Sequence, residues 1–150
     1  MKQEVGNEIL HEILQLPNID TTLPFRFGAS IEEVRQHYHD FIDMGNTRKG
    51  RLFTAVDGRG LPVLYFFFSS AGKMRGFSQD IQSGVNDFLS AMREKYGQGY
   101  DARGELPDEA RRKSVLRVRW DLPNDKYVIF NSSNANGSSL NSIFIFAKNI

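Results

Sequence analysis

Apolar residues recur along the chain at two spacings, and one short run obeys neither. Val5, Ile9, Leu10, Ile13, Leu14 and Leu16 form a helical stripe that stops at Pro17, which predicts a helix over 1–16. Ser30 with Glu33 makes a capping box, and Ile31, Val34, Tyr38, Phe41 and Ile42 continue at helical spacing, which predicts a helix over 30–44 stopped by Gly45. RLFTAV, the turn DGRG and LPVLYFFFSS read as a hairpin, with MRGF as a short further strand. Ile81, Val85, Phe88, Leu89, Met92 and Tyr96 predict a helix over 78–96, ended by Gly97. GQGYDARGELPDEARRKS is a polar loop, after which VLRVRW, KYVIFNSS and LNSIFIFAKN supply the last strands.

The order predicts a single α+β domain over 1–150, made of the amino-terminal helix and a sheet-and-helix body over 24–147. Its mainly antiparallel sheet has five or six strands. The helices over 30–44 and 78–96 pack on one face, with the amino-terminal helix beside them. The second half also echoes the first, since LPVLYFFFSS and DKYVIFNSS occupy matching places in the order of elements.

The exception is Val63–Phe68, where VLYFFF lacks the alternation of a strand with one wet face. Both faces of such a strand must be covered. Leu64, Phe66 and Phe68 share one face, assigned to the helices, while Val63, Tyr65, Phe67 and Ser69 share the other. That second face is either an open binding surface, rich in the aromatic types found at interface hot spots, or ordinary core beneath the 97–114 loop or the amino-terminal helix. IFIF at 143–146 is a second such run and marks a central strand. Arg117 and Arg119 alternate with Leu116, Val118 and Trp120, so they lie opposite the core set and suit an acidic protein surface. Trp120 reads as a core anchor. The candidate protein-binding residues are therefore Tyr65, Phe67, Arg117 and Arg119.

FGASIEEV followed by a strand, the Phe-rich strand, a helix closing on KYG and a late strand with Trp120 together resemble the beta-lactamase inhibitory protein family and the SmpA/OmlA-type small lipoprotein domains of bacteria. The resemblance covers about residues 24–147. Ala29 stands where a larger apolar residue is common, and the lipid-bearing cysteine of the lipoproteins is lacking. What the resemblance implies is a helix pair on one face of an antiparallel sheet, an open and often concave second face, and work done by binding other proteins.

Composition narrows the function classes. A chain of 150 residues can bury an adequate core, and zero cysteines excludes disulfides, thiolate metal sites and cysteine nucleophiles. The amino terminus has no apolar stretch of signal-peptide length, so a cytoplasmic location is expected, or a periplasmic one if a preceding signal has been removed. The longest apolar run, six residues, is far short of a membrane span. Residues 1–43 carry eight acidic and three basic residues against ten and sixteen in 44–150, a polarity of −5 and +6 that could steer a charged partner.

The chemistry is sparse. His37 and His39 would point about 200° apart on a helix, and His39 with Asp43 gives two ligands, which do not make a metal site. The sequence carries no G-x-S-x-G, H-E-x-x-H, P-loop or Rossmann fingerprint, so neither enzyme activity nor a cofactor is expected. Arginines crowd 103–119, but Glu105, Asp108 and Glu109 dilute them and no nucleic-acid motif accompanies them. The leading expectation is a protein-binding module, most concretely an inhibitor or immunity protein that neutralises a toxin or enzyme. The alternatives are a self-assembling structural or accessory domain, and a small-ligand binder or enzyme of unknown substrate.

Overall fold

A computed structural model of the chain describes residues 25–38, 40–56, 62–81, 85–123, 125–135 and 138–150. The helix expected over 1–16 and the DGRG turn at 57–60 lie outside the described residues. Within them the order is α1 (Ile31–Arg35), β1 (Asp40–Thr47), β2 (Gly50–Val56), β3 (Pro62–Phe68), β4 (Met74–Ile81), α2 (Val85–Tyr96), β5 (Tyr100–Asp101), a 3-10 turn (Arg103–Glu105), α3 (Asp108–Lys113), β6 (Ser114–Leu122), β7 (Lys126–Ala135) and β8 (Ser138–Ala147).

The strands form one antiparallel sheet in the order β1-β2-β3-β4-β8-β7-β6-β5. Each half of the chain contributes a helix followed by a four-stranded meander. The two meanders meet where β4 pairs with β8, from Gly76 opposite Phe146 to Ile81 opposite Asn141. β3 and β7, the strands that echo one another in sequence, are the third strands of their meanders.

This corrects the expected architecture of five or six strands under two long helices. The stripe Tyr38, Phe41, Ile42 fits a helix by spacing, but only five residues of that stretch are helical, and Asp40–Thr47 pairs with β2 instead. Strand geometry stacks the Phe41 ring on Phe53, with centroids 4.9 Å apart and planes within 9°, a packing gain that helical spacing alone does not reveal. Gly45 marks a shift of register in β1 rather than a helix end. Ser78–Ile81, expected to open the second helix, is the end of β4, and the helix begins at Val85.

The helix-bearing face is dominated by aromatic rings. Phe53, Leu64, Phe66, Phe68, Phe77, Trp120, Val128, Phe130 and Ile145 are buried there together with Val34 from α1 and Phe88 and Met92 from α2. α1 is started by Ser30, whose hydroxyl accepts a hydrogen bond from the Glu33 amide at 3.1 Å. Phe88 meets Trp120 edge-on at 6.2 Å, and the Trp120 indole N–H donates to the Gly97 carbonyl at 2.8 Å. That bond fixes the end of α2 to β6, and Trp120 is the core anchor its sequence context suggested. Full burial of each such ring is worth about 1.5–3 kcal/mol.

Candidate protein-binding surface

The opposite face of the sheet has a second core. Phe67, Tyr127, Ile129, Phe144 and Phe146 are buried there with Ala102 and Leu106, and Leu52 and Ala110 pack at their margin. Ala102, Leu106 and Ala110 belong to residues 97–113, a strap that lies over this end of the sheet. Of the two alternatives for the Val63–Phe68 run, cover by the 97–114 segment is therefore the one the structure shows for Phe67, which is 1% exposed. Phe67 is thus interior, covered by the chain's own strap. Tyr65 stands further along the face opposite Ser78, half-buried, and burial together with the nearby Asp80 charge raises its hydroxyl pKa.

The two arginines are also engaged within the molecule. Arg117 is buried, and one of its guanidinium nitrogens donates to the carbonyls of Ser114 (2.7 Å) and Arg111 (3.4 Å), which holds the junction between α3 and β6. The Arg119 guanidinium carbon lies over the Tyr127 ring, 3.8 Å from its centroid, and its nitrogens form ion pairs with Glu105 and Asp121, each at 3.0 Å. Burial alone would lower its pKa, but the hydrogen bond to Asp121 and the charges of Asp121 and Glu105 outweigh that and raise it.

Glu105 is the latch of the strap. It receives Lys49 at 2.5 Å on one side and Arg119 on the other, and Lys49 also donates to the Tyr127 hydroxyl at 2.8 Å. Burial opposes ionisation of Glu105, yet the Lys49 hydrogen bond and the charges of Lys49 and Arg119 prevail and lower its pKa. Asp121 goes further. Although burial works against its charge, hydrogen bonds from Tyr100, Lys148 and Arg119 lower it to about 2.

Both carboxylates titrate below their unfolded values. Their stabilisation is complete above the ordinary carboxylate range and is lost as pH falls through the folded values. Between pH of about 5 and 2, the wild-type chain is accordingly expected to lose more thermal stability than Asp121→Asn, which has no charge to lose. Parallel acid titration curves for the two would show that the Asp121 network adds nothing.

At this end of the sheet a corner is exposed. Tyr100 (50%), Val115 (66%) and Leu116 (39%) are exposed large apolar residues, and all three line one groove of about 350 Å³ with Gln98, Arg103 and Arg117. β5 covers β6 only at Val118 and Arg119, so the edge of β6 before them is not covered by that strand. A register shift between Ser114 and Leu116 leaves Val115 as the extra, unpaired residue of β6. Sequence reading missed Tyr100, Val115 and Leu116 because the VLRVRW pattern assigns Leu116 to the core face. Leu116 does keep the alternation of Val118 and Trp120, but it is 39% exposed, and what covers each position of a strand is not written in its local pattern.

At the other end of the sheet, β1 is the edge strand, with Ile42 and Met44 exposed. Beside it a groove of about 510 Å³ has Phe41 and Phe53 in its wall, flanked by the ion pairs Arg35–Glu32 and Arg51–Asp43. His37 is exposed after α1, His39 lies outside the described residues, and Asp43 is engaged by Arg51. No group of three His, Cys, Asp or Glu residues able to hold a metal ion occurs among the described residues. Among the same residues, no helix is long and apolar enough to cross a membrane. Set against known proteins, the chain is matched by no family model, no curated protein and no solved structure.

Proposed function

We propose that the chain is a non-enzymatic protein-binding module, an inhibitor or immunity protein that neutralises a toxin or enzyme, and that it binds through the corner of β5 and β6. The observation that carries this reading is the exposed trio Tyr100, Val115 and Leu116 around one groove, with Arg103 and Arg117 in its wall. An apolar centre ringed by polar and charged groups is the composition of a protein interface rather than of a solvated surface. The rim is mixed in charge, with Asp101 beside Arg103 and Arg117, and the exposed Arg112 on the adjoining helix adds a positive charge that favours an acidic partner surface. The aromatic pair at 65 and 67 has no part in this reading, because Phe67 is enclosed.

The test is a paired substitution, Val115→Asp with Leu116→Asp, compared with the wild-type chain in affinity capture from the host lysate at moderate salt. The partner recovered in stoichiometric amount with the wild type is expected to be lost, while the melting temperature falls by no more than about 4 °C, since both positions are exposed. Retention of the same partner by the variant would remove the corner from the interface. A second reading, self-association, is favoured by the edge position of β1 and its exposed Ile42 and Met44. A monomer by light scattering at high concentration would eliminate it.

A further inference from the structure

The strap over the second core is an odd cover. Its ordered parts are a two-residue strand, a three-residue 3-10 turn and a six-residue helix, and neither helical piece begins on a side-chain cap or buries a residue of its own. The apolar anchors it sends into the sheet are Ala102 and Leu106, with Ala110 at the edge. At its ends it is tied to β6, by the β5 pairing at Tyr100 and Asp101, by the Trp120 indole on the Gly97 carbonyl and by Arg117 on the Arg111 carbonyl; its middle is held by charge. Glu105 sits between Lys49 and Arg119, and Asp108 meets Arg48 at 3.3 Å with both side chains more than half exposed. The exposed Arg48–Asp108 pair contributes little and is screened by salt, so the hold on the middle of the strap rests on the partly buried Glu105 with Lys49 and Arg119.

The sheet beneath is the stronger partner. Lys49 follows β1, and its ammonium lies 5.3 Å from the Tyr127 ring centroid and 5.5 Å from that of Phe146. Arg119, from β6, lies on Tyr127. Two cations thus stand at the rim of an apolar recess formed by Phe67, Ile129, Phe144 and Phe146, all on strands. Glu105 meets the cations, and Leu106, fully buried, belongs to the recess cluster.

We propose that this recess is a binding site for a partner segment carrying an acidic residue followed by a large aliphatic one, and that Glu105-Leu106 occupies it in cis as a displaceable stand-in. The chemistry of the occupant follows from the recess: carboxylate to two ring-stacked cations, aliphatic side chain to the aromatic floor. The strap then acts as an internal competitor. It keeps the aromatic floor from water when no partner is present and reduces the apparent affinity by the fraction of time it is closed. The exposed corner of β5 and β6 has no role in this inference, which stands whether or not that corner binds a partner.

The probe is the chain's own sequence at 104–110, the peptide GELPDEA carrying a fluorophore, with GQAPDEA as its control. Three proteins are compared: the wild type, Glu105→Gln, and Glu105→Gln combined with Lys49→Met. GELPDEA is expected to bind Glu105→Gln at least about tenfold more tightly than the wild type. It should lose that gain in the Lys49→Met combination, and GQAPDEA should bind none of the three.

Native-state hydrogen exchange on the unaltered protein is the independent measurement. Amides of 100–113 are expected to exchange at least about a hundredfold faster than those of β7 and β8, and faster still at high salt. Strap amides that open only with global unfolding would overturn the proposal. So would equal peptide affinity in the wild type and Glu105→Gln. Two copies found exchanging their straps in a dimer would make a second copy of this chain the occupant, and would likewise overturn it.

Discussion

Replacing Phe67 by alanine is expected to destabilise the protein by about 3–5 kcal/mol, the usual loss for an enclosed phenylalanine. The ring is 1% exposed and lies against Phe146 at 5.2 Å and Phe144 at 6.2 Å between centroids. Its removal leaves a cavity between the sheet and the strap. Against a total of about 5–15 kcal/mol for a domain, the change should be plain in a urea titration as a lower midpoint with little change in slope. Tyr65→Ala, on the same face and strand but half-buried, is the control and should lose distinctly less. A Phe67→Ala protein as stable as its parent would mean that the ring is wet and that no second core exists.

The second large effect is expected from the opposite kind of change. A methyl group on Gly76 would lie 2.2 Å from a ring carbon of Phe146 and 2.9 Å from the Ile145 carbonyl oxygen. The ring cannot step aside, because Phe67, Tyr127 and Phe144 pack around it. Gly76→Val is expected to cost about 3 kcal/mol, at the upper end for overpacking, because one of the obstructing atoms is backbone. The cost should shrink when Phe146→Ala is made in the same chain. Coupling of that kind in a double-mutant cycle identifies contact rather than strand propensity as the cause. Additive losses would place the ring elsewhere.

How far the sequence foretold this arrangement depends on the kind of signal each element left. The Ser30–Glu33 cap, the stripe of α2, the central place of IFIF and the inward set Leu64, Phe66, Phe68 were legible, because side-chain period and capping chemistry are local properties. β1 was not, since Tyr38, Phe41 and Ile42 satisfy a helical period as readily as a strand, and the ring stacking on Phe53 that decides the matter is a contact with β2. The strap was legible only as a polar loop. In GELPDEA a single leucine is flanked by charges, and nothing local announces that its glutamate answers a lysine 56 residues earlier. For the same reason Arg117 and Arg119 were placed on the correct face but read as free for a partner, when each is already engaged within its own molecule.

The seam between the two meanders also bears on how the chain reaches this state. Every other strand pairing joins neighbours in sequence, whereas β4 and β8 bring together residues 60 to 70 positions apart, from Ile81 with Asn141 to Gly76 with Phe146. Each half can thus close its own short loops cheaply, and the one large entropic step is deferred to the meeting of two half-sheets. The residue that makes that step sterically feasible is a glycine with a phenylalanine ring laid over it. Among the strand pairings, the distant ones are gathered in this single line of hydrogen bonds, and the slow step of folding is expected there.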